Sequence, residues 1–143
     1  PWKLAVIQGN SLKKIDEEII LPEFIRLNPE SNINLRDIES KRMQRAGVVI
    51  AVISKPVQHK SIPKWEMYLS SGAVCMNLLS CAQSKGYAAQ WLTEWYAYNE
   101  KMLLHLGGKV DVDKISGFIY IGHKNEQPVE RRRPNPTEVI EYI

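Results

Sequence analysis

From Trp2 to Ile7 the chain alternates in the manner of a half-buried strand, and Gln8-Gly9-Asn10 turns it. Ser11 is placed to cap the next segment. Between Leu12 and about Leu27, apolar residues Ile15, Ile19, Ile20 and Leu21 recur at helical spacing until Pro22 interrupts them. That proline predicts either a break or the first turn of a second helix through Phe24, Ile25 and Leu27. Pro29 and the polar run Glu30-Ser31-Asn32 predict a loop. Asn34 to Ala46 reads as a charged surface helix with a thin stripe of Leu35, Ile38 and Met43, ended by Gly47.

Val48 to Ile53 is a continuous apolar run, the pattern of a central strand buried on both faces. After a loop from Lys55 to Pro63, the segment from Pro63 to Lys85 predicts the longest helix, with Gly86 where a left-handed cap belongs. Small residues (Ser70, Ser71, Gly72, Ala73, Cys75, Ser80, Cys81, Ala82) lie on more than one of its faces, so neighbours can approach closely and the helix is expected in the core or between subunits. Tyr87 to Thr93 predicts a strand, Tyr98 to Leu106 a short helix closed by Gly107-Gly108, and Ser116 to Gly122 the last strand. The tail HKNEQPVERRRPNP has no core of its own and must lie on something, with Thr137 to Tyr142 able to dock as a helix turn or strand. Four strands mixed with helices, not strictly alternating, predict an α+β fold.

At 143 residues this suits a single domain. A net charge of +3 gives no reason to expect a nucleic-acid partner, although the basic residues Arg131, Arg132 and Arg133 cluster near the end. Cys75 and Cys81 have neither zinc spacing nor disulfide spacing and are expected as reduced, buried thiols. No stretch is apolar for about 18 residues, so no membrane partner is expected and the cytoplasm is the default location.

Candidate chemistry is sparse. There is no Walker loop, no G-x-G-x-x-G after a strand and no nucleophile elbow. His59, His105 and His123 are too scattered for a metal site, so no metal is expected. Asp16, Glu17 and Glu18 are expected to face solvent. The triplet at 131–133 could bind a phosphate or simply be solvated. In AAQWLTEWYAY, Trp91 sits on a strand and favours the core, whereas Trp95 and Tyr96 lie beyond it and are harder to bury.

The ordered set formed by PW before a strand, HKSIPKWEMYLSSGAVCMNLLSCAQSKGYAAQWLT, KISGFIYIGH and ERRRPNP resembles the FMN-dependent nitroreductase family, in its compact single-domain branch of NAD(P)H nitroreductases. The resemblance runs from Pro1 to the tail and is strongest over His59 to Thr93. It implies a central, mostly antiparallel sheet flanked by helices, in a homodimer with FMN between the subunits. It also implies hydride transfer from NAD(P)H through the flavin to a nitroaromatic or quinone-type small-molecule acceptor. No protein acid, base or nucleophile is then required.

By position, the resemblance places Trp91, Leu92 and Thr93 against the flavin, with Trp91 packed inward and the backbone of Leu92 and Thr93 meeting the ring. Arg131 and Arg133 fall near the FMN phosphate. Cys81, Ala82, Gln83, Ser84, Lys85 and Gly86 match a segment that binds the NAD(P)H nucleotide. Residues 124–143 are expected to dock on the partner subunit. The family's Arg-Arg-Ser phosphate clamp and first helix would lie upstream of Pro1, so a 143-residue chain without them is expected to bind FMN weakly or not at all. Relatives carry arginine at the position of Leu92 and glycine at that of Glu94; an extra carboxylate there would oppose an anionic reduced flavin. The rival reading is a non-catalytic interaction protein on the same scaffold, and RNA binding through the tail lacks interleaved aromatics.

Overall fold

The computed structural model describes residues 1–126 and 129–143. A four-stranded antiparallel sheet in the order β1-β2-β4-β3 is built from Trp2–Gln8, Val48–Ser54, Ala88–Leu92 (β3) and Lys114–Gly122 (β4). The apolar run at 48–53 is an interior strand, as its lack of alternation predicts. Its odd residues Val49, Ala51 and Ile53 face the larger core, and Val52 faces the other side.

That larger core also takes in Ile20, Met43, Tyr96, Met102 and Phe118, beneath helices on one face of the sheet. Burying a side chain such as Phe118 contributes about 2 kcal/mol. These helices are α1 (Asn10–Ile15), α2 (Leu21–Leu27), α3 (Ile33–Glu39) and α5 (Glu100–His105). Asn32 and Asn99 cap α3 and α5, each side chain accepting from a backbone N–H three residues on, at 2.9 and 3.0 Å. Ser11 does not cap α1. Gly9 occupies that position with φ 57°, a conformation serine would adopt only under strain.

Pro22 does not break the chain's helical course. A π-helical turn over Asp16–Ile20 joins α1 to α2, and the wider turn accommodates the missing N–H and the bulk of the ring. The predicted helix at 34–46 is shorter, ending at Glu39 and followed by a 3-10 turn at Met43–Arg45.

Asp16 is fully buried, contrary to the expectation of a solvent-facing carboxylate. Its oxygens accept from Met43 N at 2.8 Å and Gln44 Nε2 at 3.0 Å, which joins the π turn to the segment before β2. Burial raises its pKa despite these bonds. Glu23 is likewise buried, accepting from Arg26, Lys101 and Asn99, and so ties α2 to α5.

The opposite face of the sheet carries one long helix, α4 (Lys64–Ser84), over a small cluster of Val52, Cys75 and Ile119. Met67, Ser71, Cys75 and Ala82 point inward at helical spacing. Tyr87 N to Ala82 O and Gly86 N to Gln83 O, each 3.0 Å, close the helix, with Gly86 at φ 84° as its position predicted. Cys81 is exposed rather than buried because it lies off this inward stripe.

Four-residue α6 (Pro136–Val139) buries none of its residues, and Val139, Ile140, Tyr142 and Ile143 are exposed.

Candidate functional site at the end of β3

β3 lies at an edge of the sheet, and its last pair with β4 is Leu92 to Phe118. Two steps further along β4 the register with β2 shifts: Val52 pairs with Gly117 and Ile53 with Ile115, so Ser116 is the extra residue of a bulge. The hydroxyl and the carbonyl of Ser116 are both used. Its Oγ lies 2.7 Å from Ser71 Oγ of α4, and its carbonyl accepts from Trp91 Nε1 at 3.0 Å.

Trp91 therefore does not pack inward. Strand alternation puts it on the α4 face, where Gly117 and Gly72 leave room for an indole, and 38% of the residue stays exposed. Leu92 turns to the other face and packs on the larger core. Thr93 follows, exposed and past the last β3–β4 pair.

The residues beyond the strand reverse a second expectation. Tyr96 is among the most buried side chains, at 0% exposure, because its hydroxyl meets that of Tyr120 at 2.7 Å while its ring packs edge-on against Phe118. Burial raises the pKa of both phenols, keeping them neutral. Trp95 is half-buried and donates through Nε1 to Glu39 at 3.0 Å.

Glu94 is not a free negative charge. Its carboxylate meets Arg42 Nη1 at 2.9 Å and Arg45 Nη1 at 2.7 Å, and Arg42 also binds Glu39. Glu39 beside it raises the Arg42 guanidinium above its ordinary value. Two arginines and two glutamates sum to no net charge, so Glu94 brings no uncompensated repulsion to an anion nearby. Sequence reasoning missed this cluster, because Glu94 lies 49 residues from Arg45 and no spacing rule joins it to the Glu39–Arg42 pair.

Arg131 and Arg133 stand exposed, the latter paired with Glu130 at 2.7 Å. A cleft formed by the tail itself is lined by Arg132, Arg133, Pro134, Asn135 and Glu138, with no residue of β3.

Cys81 to Gly86 form the C-terminal end of α4. The carbonyls of Cys81, Ala82 and Gln83 are occupied by the amides of Lys85, Gly86 and Tyr87, and Lys85 is the one cation in the segment. Beside it, Cys81, Ala82 and Lys85 join Ile50, Tyr87 and Ile121 around a largely apolar cleft of about 510 Å³. The segment lies before the start of β3 and Thr93 past its other end, with the whole strand, about 13 Å long, between them.

His59 Nδ1 accepts from the amides of Ser61 and Ile62, and the ring of His123 lies tilted against that of Tyr87. Among the described residues no three metal-binding side chains gather, and no helix is long and apolar enough to cross a membrane.

The groups present suit FMN chemically. An edge strand with open backbone positions and a half-exposed indole suits a flat polar ring, and guanidinium groups suit its phosphate. Among the described residues of one chain, however, the tail cleft that takes in Arg132 and Arg133 includes no residue from the end of β3.

Comparisons with known proteins agree with this architecture. The chain is 26% identical over 148 residues to "Putative NAD(P)H nitroreductase YdjA" of Escherichia coli (strain K12), covering 100% of this chain and 76% of that protein. The crystal structure of a nitroreductase-like family protein from Bacillus cereus superposes with a TM-score of 0.81 at 25% identity, over 100% of this chain and 73% of that one. A variant of NfnB, an FMN and NADPH-dependent nitroreductase from sphigopyxis sp. strain HMH, shares the fold with a TM-score of 0.65 at 17% identity, over 99% and 79% of the two chains. The family model for the nitroreductase family matches residues 1–123, which hold all four strands and the helices that cover them. The chain belongs to the nitroreductase family.

Proposed function

We propose that this protein is an FMN-dependent oxidoreductase that passes hydride from NAD(P)H through the flavin to a nitroaromatic or quinone-type acceptor, at a site between two copies of the chain. The observation that carries this reading is the division of the donor groups. Leu92 and Thr93 lie at the end of β3, the exposed guanidinium groups of Arg131 and Arg133 lie on a tail whose own cleft takes in no residue of β3, and α4 leaves an apolar stripe uncovered beside the sheet. Trp65 (67% exposed), Leu69 (54%) and Met76 (55%) recur on that stripe at helical spacing. A second copy packed there would cover them and let its tail, residues 124–143, approach the other subunit.

When bound, FMN supplies the redox chemistry, taking a hydride from NAD(P)H and returning two electrons to the acceptor. The protein's part is to orient and desolvate. Leu92 and Thr93 offer backbone to the ring edge, Trp91 forms an apolar wall, and Arg131 and Arg133 neutralise the phosphate. A nucleotide docked on Cys81 to Gly86 must extend along β3 to reach a flavin over Thr93, with Lys85 holding its charged end. The two free thiols suit a reducing compartment such as the cytoplasm.

The intact purified protein should be yellow, dimeric and bleached by NAD(P)H. A colourless dimer that cannot be reconstituted with FMN would favour a non-catalytic interaction role on the same scaffold.

A further inference from the structure

Glu94 has φ 45° and ψ 177°, a backbone conformation in which glycine is at ease and an L side chain is strained. Such a residue persists only where its surroundings hold it. Here the carboxylate is held from two sides: Arg42 grips one oxygen at 2.9 Å and Arg45 the other at 2.7 Å. The next residue is fixed to the same place, since Trp95 Nε1 donates to Glu39, itself bound to Arg42. The turn that leaves β3 is thus fastened at two consecutive positions to the segment between α3 and β2. Arg42 is mostly buried, and its Nε has no partner among the described residues, so the guanidinium is committed to these two carboxylates at a cost in hydration.

We propose that Glu94 is a positioning residue. Held by Arg42 and Arg45 in a glycine-type conformation, it sets the direction in which Leu92 and Thr93 leave the sheet, and so fixes the backbone edge that meets the isoalloxazine. This rests on the flavin reading above and adds a residue to it. In this role the network acts through the backbone, by holding Thr93 still. It also keeps the local charge balanced, because removing the carboxylate leaves two arginines against one glutamate.

Two variants separate shape from charge. Glu94→Gly keeps the φ and abolishes the grip, whereas Glu94→Gln keeps the length of the side chain and abolishes the ion pairs. In the intact protein both should fold, with far-UV circular dichroism and dimerisation unchanged. Both should bind FMN about tenfold more weakly, as expected when a positioning contact is loosened. The flavin absorption band should shift, and the bound flavin's midpoint potential should rise with the uncompensated arginine. Amide exchange at Thr93 to Ala97 should quicken while β4 stays protected.

A parent protein that takes up FMN while both variants bind it with the same affinity, spectrum and potential overturns the positioning role alone. Unchanged exchange at Thr93 to Ala97 overturns it as well. A parent that takes up no FMN overturns the flavin reading, and this role with it, on a separate measurement.

Discussion

The indole N–H of Trp91 donates to the carbonyl of Ser116 at 3.0 Å, just beyond the point where β3 and β4 stop pairing. A side chain thereby satisfies a carbonyl that a longer strand would have bonded with backbone. The ring lies so close over Gly117 that a β-carbon there would come within 2.0 Å of Nε1.

Gly117→Ala should therefore displace the indole, break its bond to Ser116 and destabilise the fold by about 1–3 kcal/mol. Thermal melting with tryptophan fluorescence checks this. A melting temperature and emission maximum equal to those of the parent would show that the ring is not confined there.

Glu23 should make the protein sensitive to acid. Hydrogen bonds from Arg26, Lys101 and Asn99 hold its pKa at about 2, down from 4.5. Because the folded-state value is depressed, its stabilisation is present above pH 4.5 and is lost as the pH falls from 4.5 towards 2. Glu23→Gln should cost about 2 kcal/mol at pH 7 and flatten that part of the profile. Urea midpoints for both proteins at pH 7 and pH 3 test it; parallel profiles would contradict the assignment.

Replacing Leu69 and Met76 together by glutamate should turn a dimer into a monomer and release FMN, because a carboxylate in a desolvated interface is costly. Both residues are more than half exposed in the single chain, so its circular dichroism should not change. Size-exclusion chromatography with light scattering reads the outcome. A variant that stays dimeric and yellow would place the interface elsewhere.

Arg131→Ala combined with Arg133→Ala should weaken FMN retention about tenfold or more while leaving the melting temperature of the apoprotein within about 1 °C, since neither arginine is buried. Flavin released on dialysis measures this. Unchanged retention would remove the tail from the phosphate site.

Much of the fold was legible because local rules decided it. The apolar run at 48–53 had to be an interior strand, and Gly86 had to end α4. Where distant residues decided the outcome, the sequence was silent. Asp16 looked like one of three surface carboxylates until Met43 and Gln44, 27 and 28 residues on, supplied its donors. Tyr96 looked hard to bury because its partner, Tyr120, lies 24 residues on, in β4. The small residues of α4 did signal close approach, and the Ser71–Ser116 contact is its expression. Trp91 was expected inward because strand tryptophans usually are; two glycines on other elements gave it a shelf instead. The triplet at 131–133 left phosphate binding and plain solvation open, and the fold of one chain leaves all three side chains exposed.

The bulge at Ser116 has an evolutionary corollary. Because the ladder has already ended where the indole takes over, a different residue at 91 could reshape the rim of the proposed site without slipping a strand. Position 117 has no such latitude while tryptophan remains opposite. Diversification of ligand preference in descendants of this sequence should accordingly begin at 91, and any escape from glycine at 117 should follow it.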